Sequence, residues 1–274
     1  INSFYGYLGF SQGRFNDFDA AEKVTAEGRA LLRRMIEWLR EHGATPVEID
    51  TDGIYFVPPE FGGSPQETGA AMDAFRRAFA EALPAGIEIE FDGEFRAMFS
   101  YKMKNYALLG HDGEMVIKGG ALKSRGLEPF QRDFLRDMLR LMLEGREGEI
   151  PRLKSRYEQD LRERRLPVEK LAKTETLQDS PATYAEKIEK SKRGRSATYE
   201  LALASARDYR AGDQISYYVT GEKKSVAVHS AAKLVSDFDP DNRDENVPYY
   251  LAKLDALYRK FGGAASEQGE LALG

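Results

Sequence analysis

Residues 46–57 read Pro46-Val47-Glu48-Ile49-Asp50-Thr51-Asp52-Gly53-Ile54-Tyr55-Phe56-Val57. Two short β-rich runs flank a polar tetrapeptide, the pattern of a hairpin with Asp and Gly supplying the turn. Both flanks are apolar, so the hairpin is expected to be buried. Alternation sets Asp50 and Asp52 on one side and Thr51 on the other. Two carboxylates at the end of a buried hairpin repel unless a positive charge sits near them. The pair therefore reads either as a plain tight turn or as a holder for a divalent ion with hard oxygen ligands. An Asp-x-Asp of this kind serves two chemistries: nucleotidyl transfer from a nucleoside triphosphate by two metals, or sugar transfer from a nucleotide-sugar with Mn²⁺ on the diphosphate. The tetrapeptide alone does not separate them.

Upstream of the hairpin, Ala21, Val24, Leu31, Leu32, Met35, Ile36 and Leu39 recur at helical spacing, predicting one amphipathic helix from Phe18 to about His42, stopped by Gly43. Downstream, a Gly/Pro loop leads to a second helix over about 66–83. Residues 86–92 alternate with period two and read as a strand with Glu88 and Glu90 on one face. Further strands are expected at 96–101, 106–109 and 115–118, with a turn at Asp112-Gly113. Helices follow at 129–143 and 150–164, then a helix after Pro181, a strand at 214–220 and a helix from Pro248 to Phe261. The change from mixed to mainly helical character falls between Tyr101 and Leu127. Trp38 and the scattered Tyr and Phe read as core.

The 274 residues are 42% hydrophobic and 31% charged, enough to bury a core beneath an open, solvated surface. No cysteine is present and the three histidines, His42, His111 and His229, lie far apart. Thiolate and histidine metal sites are thereby disfavoured, and an oxygen-held Mg²⁺ or Mn²⁺ is the metal to expect. A net charge of −5 does not favour nucleic acid, but local clusters of Lys and Arg matter more than the total. The runs 152–165 and 187–195 are basic yet mixed with acids, so they read as phosphate grips or as solvated helix faces. No apolar run reaches the roughly 18 residues of a membrane helix. The opening Ile1-Asn2-Ser3, without initiator Met or leader, reads as a segment of a longer polypeptide. With the absence of cysteine it suggests a cytoplasmic, prokaryotic source.

The N-terminus separates the two chemistries. Asn2-Ser3-Phe4-Tyr5-Gly6-Tyr7-Leu8-Gly9 resembles the NSxYG signature of family B DNA polymerases, which is followed, after an amphipathic helix, by a DTD hairpin. Lys104-Asn105-Tyr106, with Lys102 just before it, resembles the family's KxY element, with one residue inserted relative to the commoner lysine run. Ser124-Arg125-Gly126-Leu127-Glu128 and Gln131-Arg132-Asp133 are similar to the start of its thumb. Gly212-Asp213-Gln214-Ile215-Ser216-Tyr217-Tyr218-Val219, Asp237-Phe238-Asp239-Pro240 and Tyr249-Tyr250-Leu251 are similar to its later parts. The likeness runs in order along nearly the whole chain.

The resemblance implies an α+β fold. A partial palm, with an antiparallel sheet carrying the DTD hairpin and backing helices, would be followed by a mainly helical thumb. Its expected bounds are 1–15 for the end of the fingers and entry to the palm, 16–100 for the palm portion, 101–261 for the thumb and 262–274 for a flexible tail. The implied activity is DNA-templated DNA synthesis: transfer from dNTP to a primer 3′-hydroxyl with two Mg²⁺, for which Mn²⁺ substitutes. In that scheme Asp52 binds metal together with an upstream Asp, and Asp50 tunes the site. Glu88 and Glu90 match acids near the metal site, though by themselves they read as facing solvent or a lysine. Asn2 and Tyr5 match positions near the incoming nucleotide, with a packed helix residue the other reading of Tyr5. Lys102, Lys104 and Tyr106 correspond to primer contacts, and Arg125 and Arg132 to phosphate contacts at the thumb base; outside that context Lys104 is a solvated strand lysine. The partners implied are primer-template DNA, dNTP and a missing N-terminal part, in cis or as a separate chain. The family's upstream motif with the partner Asp, and the triphosphate-holding Lys, have no match here, so the chain is expected to be inactive alone. A non-catalytic duplex-binding module is the alternative. A DxD glycosyltransferase would carry a nucleotide-binding α/β domain ahead of the motif, where only a helix is read.

Overall fold

The computed structural model describes residues 2–50, 53–123, 126–190 and 194–271, with side chains described from Phe4 to Gly262. The chain divides into two compact units, Ile1–Gly93 and Glu94–Gly274.

The first unit contains α1 (Asn2–Leu8), α2 (Phe18–Glu41), β1 (Thr45–Ile49), β2 (Ile54–Val57) and α3 (Pro65–Glu81). Helix α2 starts where Asp17 accepts the Ala20 N–H at 2.9 Å and ends before Gly43, whose φ of +78° is the left-handed conformation that closes a helix. Helix α3 opens on a capping box. Ser64 accepts from the Glu67 N–H, the Glu67 carboxylate accepts from the Ser64 N–H at 2.7 Å, and Pro65 fills the first turn. A two-stranded hairpin is marginal by itself. Here Ile54 and Phe56 pack on an aromatic cluster from both helices. Trp38 stacks on Phe79 at 4.9 Å, and Phe56 lies 5.9 Å from Phe75. Trp38 is thus a core residue, as the sequence suggests.

Two expectations for this unit are corrected. The hairpin is covered only in part: Val47, Ile49 and Val57 are exposed, while Glu48 is buried. The apolar character on which the buried reading rested does not by itself cover both faces of a two-stranded hairpin, which also carries a bulge between Pro46 and Glu48. Residues 87–94 form no strand, since alternation without a neighbouring strand leaves the backbone ladder unmade. Ile89 packs on the aromatic cluster, Phe91 lies under the Arg76 guanidinium at 5.3 Å, and Glu88 and Glu90 point outward, exposed.

The second unit begins with an antiparallel sheet of β3 (Phe95–Lys102), β4 (Asn105–Gly110) and β5 (Met115–Lys118), in the order β3-β4-β5. Then come α4 (Gly120–Lys123), α5 (Pro129–Leu143), α6 (Ile150–Arg162), α7 (Val168–Leu171), β6 (Lys173–Thr176), α8 (Pro181–Glu189), α9 (Ala197–Ala204), β7 (Gln214–Val219), α10 (Val228–Ala231), β8 (Ala232–Leu234) and α11 (Val247–Leu271). Strand β3 belongs with β4, which packs with it against α5. The division between units therefore falls ahead of the 101–127 region where the composition changes. The core is built on α5. Phe130, Phe134, Met138 and Leu139 are fully buried against Leu109, Leu153, Tyr157, Tyr250, Leu254 and Phe261. A second antiparallel sheet, β6-β7-β8, carries α8 and α9 on a smaller core around Tyr184 and Tyr199, whose rings stack at 4.5 Å. Asn246 ties this sheet to α11. Its side-chain amide donates to the Thr220 and Lys223 carbonyls and its Oδ1 accepts the Tyr249 N–H. Helix α11 continues through Gly262 and Gly263 to Leu271, where the glycines suggest a tail; i→i−4 bonding outweighs their roughly 1 kcal/mol penalty.

Candidate functional site

The Asp-x-Asp turn lies between β1 and β2. The Asp50 N–H donates to the Gly53 carbonyl at 2.9 Å, closing the turn just beyond the Ile49–Ile54 pair. Asp50 is half-buried. Asp52, the residue expected to bind metal, lies outside the described residues. Among the described residues no three acids or histidines converge as a metal cluster. The donors at hand are carboxylate oxygens, and their hardness fits Mg²⁺ or Mn²⁺ rather than a soft ion. Tyr5 stands on α1, 40% exposed, so it is not a packed helix residue within its own unit. The side chain of Asn2 lies outside the described residues.

The second unit holds the lysine hairpin. Lys102, the last residue of β3, pairs with Asn105, the first of β4, leaving Met103 and Lys104 at the tip. Lys104 has φ of +61°, the left-handed region, unusual for a side chain with a Cβ. Lys102 and Lys104 are exposed, with the Lys102 ammonium 5.4 Å from the Tyr101 ring centre. Tyr106 is buried on β4. Arg132 is exposed on the first turn of α5, and Arg125 lies outside the described residues. Among the described residues, several cations of the two mixed basic runs pair with acids. Arg156 meets Asp137 at 3.2 Å, Arg164 meets Glu245 at 2.8 Å, Lys187 meets Asp179 at 2.9 Å and Arg195 meets Glu200 at 3.1 Å.

The family model for DNA polymerase family B matches residues 1–258. The chain belongs to DNA polymerase family B. It is 29% identical over 256 residues to the DNA polymerase of Methanocaldococcus jannaschii, covering 91% of this chain and 15% of that protein. It is 26% identical over 267 residues to DNA polymerase 1 of Pyrococcus abyssi, covering 95% of this chain and 34% of that one. In fold it is similar to the family B DNA polymerase of the hyperthermophilic archaeon Pyrobaculum calidifontis, with a TM-score of 0.72 and 21% identity over 94% of this chain and 32% of that chain. The chain thus spans about a third or less of each of these relatives.

A cavity of about 350 Å³ beside the β6-β7-β8 sheet is lined by Glu128, Lys173, Glu175, Tyr217, Tyr249 and Lys253, among others. Burial raises the pKa of the Tyr217 hydroxyl. Burial opposes the Lys253 charge, yet Glu128 and Tyr249 outweigh it and hold its pKa above the ordinary lysine value. These residues come from segments more than a hundred positions apart; Glu128, Tyr217 and Tyr249 lie in stretches that resemble the family, while Lys173, Glu175 and Lys253 carry no signal in the sequence. No helix among the described residues is long and apolar enough to cross a membrane.

Proposed function

We propose that this chain supplies one side of a DNA polymerase active site, with the primer-template grip belonging to it. The observation that carries the reading is the family match over 1–258 together with the Asp-x-Asp turn held at the end of a hairpin. In this reading 16–100 is the palm portion and 101–261 the thumb. Asp52 holds metal, Asp50 orients and tunes the turn through its backbone bond to Gly53, and Glu88 and Glu90 face solvent nearby. When bound, Mg²⁺ neutralises the triphosphate and favours in-line displacement of pyrophosphate from the α-phosphorus by the primer 3′-hydroxyl. Tyr5 presents an exposed ring to the incoming nucleotide, beside Asn2. Lys102, Lys104, Arg125 and Arg132 meet DNA phosphates without reading sequence. Tyr106 supports the lysine hairpin from beneath. The partner carboxylate and the triphosphate cation come from outside these 274 residues, in cis or on another chain, consistent with a length about a third of the polymerases it matches.

Primer extension tests this. The purified chain alone, with Mg²⁺, dNTPs and primer-template, is expected to add no nucleotide. Mixed with a polypeptide carrying the N-terminal part of a family B relative, it is expected to extend the primer, and Asp52→Asn to abolish that extension. Extension by the chain alone would overturn the division of the site, and extension surviving Asp52→Asn would overturn the role of Asp52.

A further inference from the structure

Lys104 is one of two non-glycine residues with positive φ among the described residues. A single left-handed residue with a Cβ costs on the order of 1–2 kcal/mol. Gly or Asn avoids that cost, and such strain persists only where the surroundings impose it. Two neighbours impose it here. The Asn105 side-chain amide donates to the Met103 carbonyl at 3.0 Å, across the tip, while its Oδ1 accepts the Ala121 N–H at 2.8 Å. One side chain therefore bridges the hairpin tip to the start of α4. Gly119, with φ of +89°, packs directly under the turn. A Cβ there would collide with the Lys104 carbonyl oxygen and Asn105 Oδ1, and would stand 2.7 Å from the Asn105 Cα. The Gly119 carbonyl in turn accepts the Lys123 N–H at 3.0 Å.

We infer that Asn105 and Gly119 form a clamp that holds Lys104 in its left-handed turn, and that they are positioning residues for the contact between Lys104 and a backbone phosphate of the primer strand. The inference rests on the reading of Lys104 as a DNA contact. Neither clamp residue need touch DNA. Asn105 acts through two hydrogen bonds, and Gly119 acts by lacking a side chain. A lysine on a free loop would sample many directions, so fixing the backbone lowers the ordering cost of each ammonium–phosphate contact.

The test is a double-mutant cycle read by duplex binding of the full 274-residue chain across salt, with Lys104→Ala, Asn105→Ala and the double variant. Lys104→Ala is expected to weaken primer-template binding roughly tenfold. It should also lower the slope of log affinity against log salt by about one contact. Asn105→Ala is expected to reproduce most of both changes in the parent background and to add almost nothing in the Lys104→Ala background. A merely structural role would lower the melting temperature but leave the salt slope alone. An unchanged slope, or equal weakening by Asn105→Ala in both backgrounds, overturns the clamp. If Lys104→Ala binds like the parent, the reading of Lys104 falls and the clamp with it. If Lys104→Ala weakens binding and Asn105→Ala does not, the clamp alone falls. Should Asn105→Ala fail to fold, the same cycle is run with Asn105→Ser, whose hydroxyl is too short to reach both partners and whose outcomes are judged in the same way.

Discussion

A single backbone angle separates stability from function at Lys104. Glycine adopts φ of +61° without steric cost, so Lys104→Gly should raise stability by about 0.5–1 kcal/mol after the entropy of the freer chain is counted. The same substitution should weaken duplex binding, because the ammonium is gone. Denaturant titration and DNA binding on one preparation check both directions. The lysine itself was legible in the sequence through the Lys104-Asn105-Tyr106 element; its strain was not, because a left-handed lysine has no compositional signature. Tyr106 shows the opposite limit. The motif singles it out, yet its place on the central strand β4 buries it, and burial follows from pairing on both sides. Glu48 likewise sits buried between exposed Val47 and Ile49, so the strand turns its polar residue inward and its apolar ones outward, which residue type alone does not anticipate.

Elements with their own caps and periodicity were readable. Helix α2 starts after Asp17 and stops at Gly43, and α5 begins at Pro129, as the residues suggest. Elements that exist only through partners were not. Strands β6 and β8 are three or four residues long and depend on β7, while the alternating stretch at 86–92 has the pattern of a strand and no partner. The β1–β2 hairpin depends on the aromatic cluster behind it, so Phe79→Ala, at a ring only 3% exposed, should cost about 3–5 kcal/mol and expose the hairpin amides. Hydrogen exchange over 45–57 would report that loss. In the second unit, Asp244 ties β7 to β8, accepting from the Tyr218 hydroxyl at 2.6 Å and the Lys233 ammonium at 3.0 Å. Burial would raise its pKa, but these two bonds outweigh burial and hold it below the ordinary carboxylate value. A depressed carboxylate stabilises the fold above its unfolded pKa of about 4, and that contribution is lost as pH falls through the folded value. Asp244→Asn should therefore cost about 1 kcal/mol at neutral pH, the low end for a charged bond because the side chain keeps 40% exposure. The gap between variant and parent should close in strong acid, which urea titrations at several pH values would show.

For the whole molecule, the order of motifs was more informative than any one of them. Asp-Thr-Asp-Gly alone fits a turn, a sugar transferase or a polymerase, whereas four elements in sequence pointed to one family, the family whose model matches 1–258. Net charge of −5 would have argued against a nucleic-acid partner. The proposed grip rests instead on local basic side chains such as Lys102, exposed at the β3–β4 hairpin. The proposed function stands or falls on whether this chain grips primer-template DNA. Fluorescence anisotropy of the purified 274-residue chain against labelled primer-template, beside a single-stranded control at low and moderate salt, tests it most directly. Preference for the duplex and an affinity that falls steeply as salt rises are the expected outcome. No binding at low salt, or equal binding to single strand and duplex without salt dependence, would contradict it.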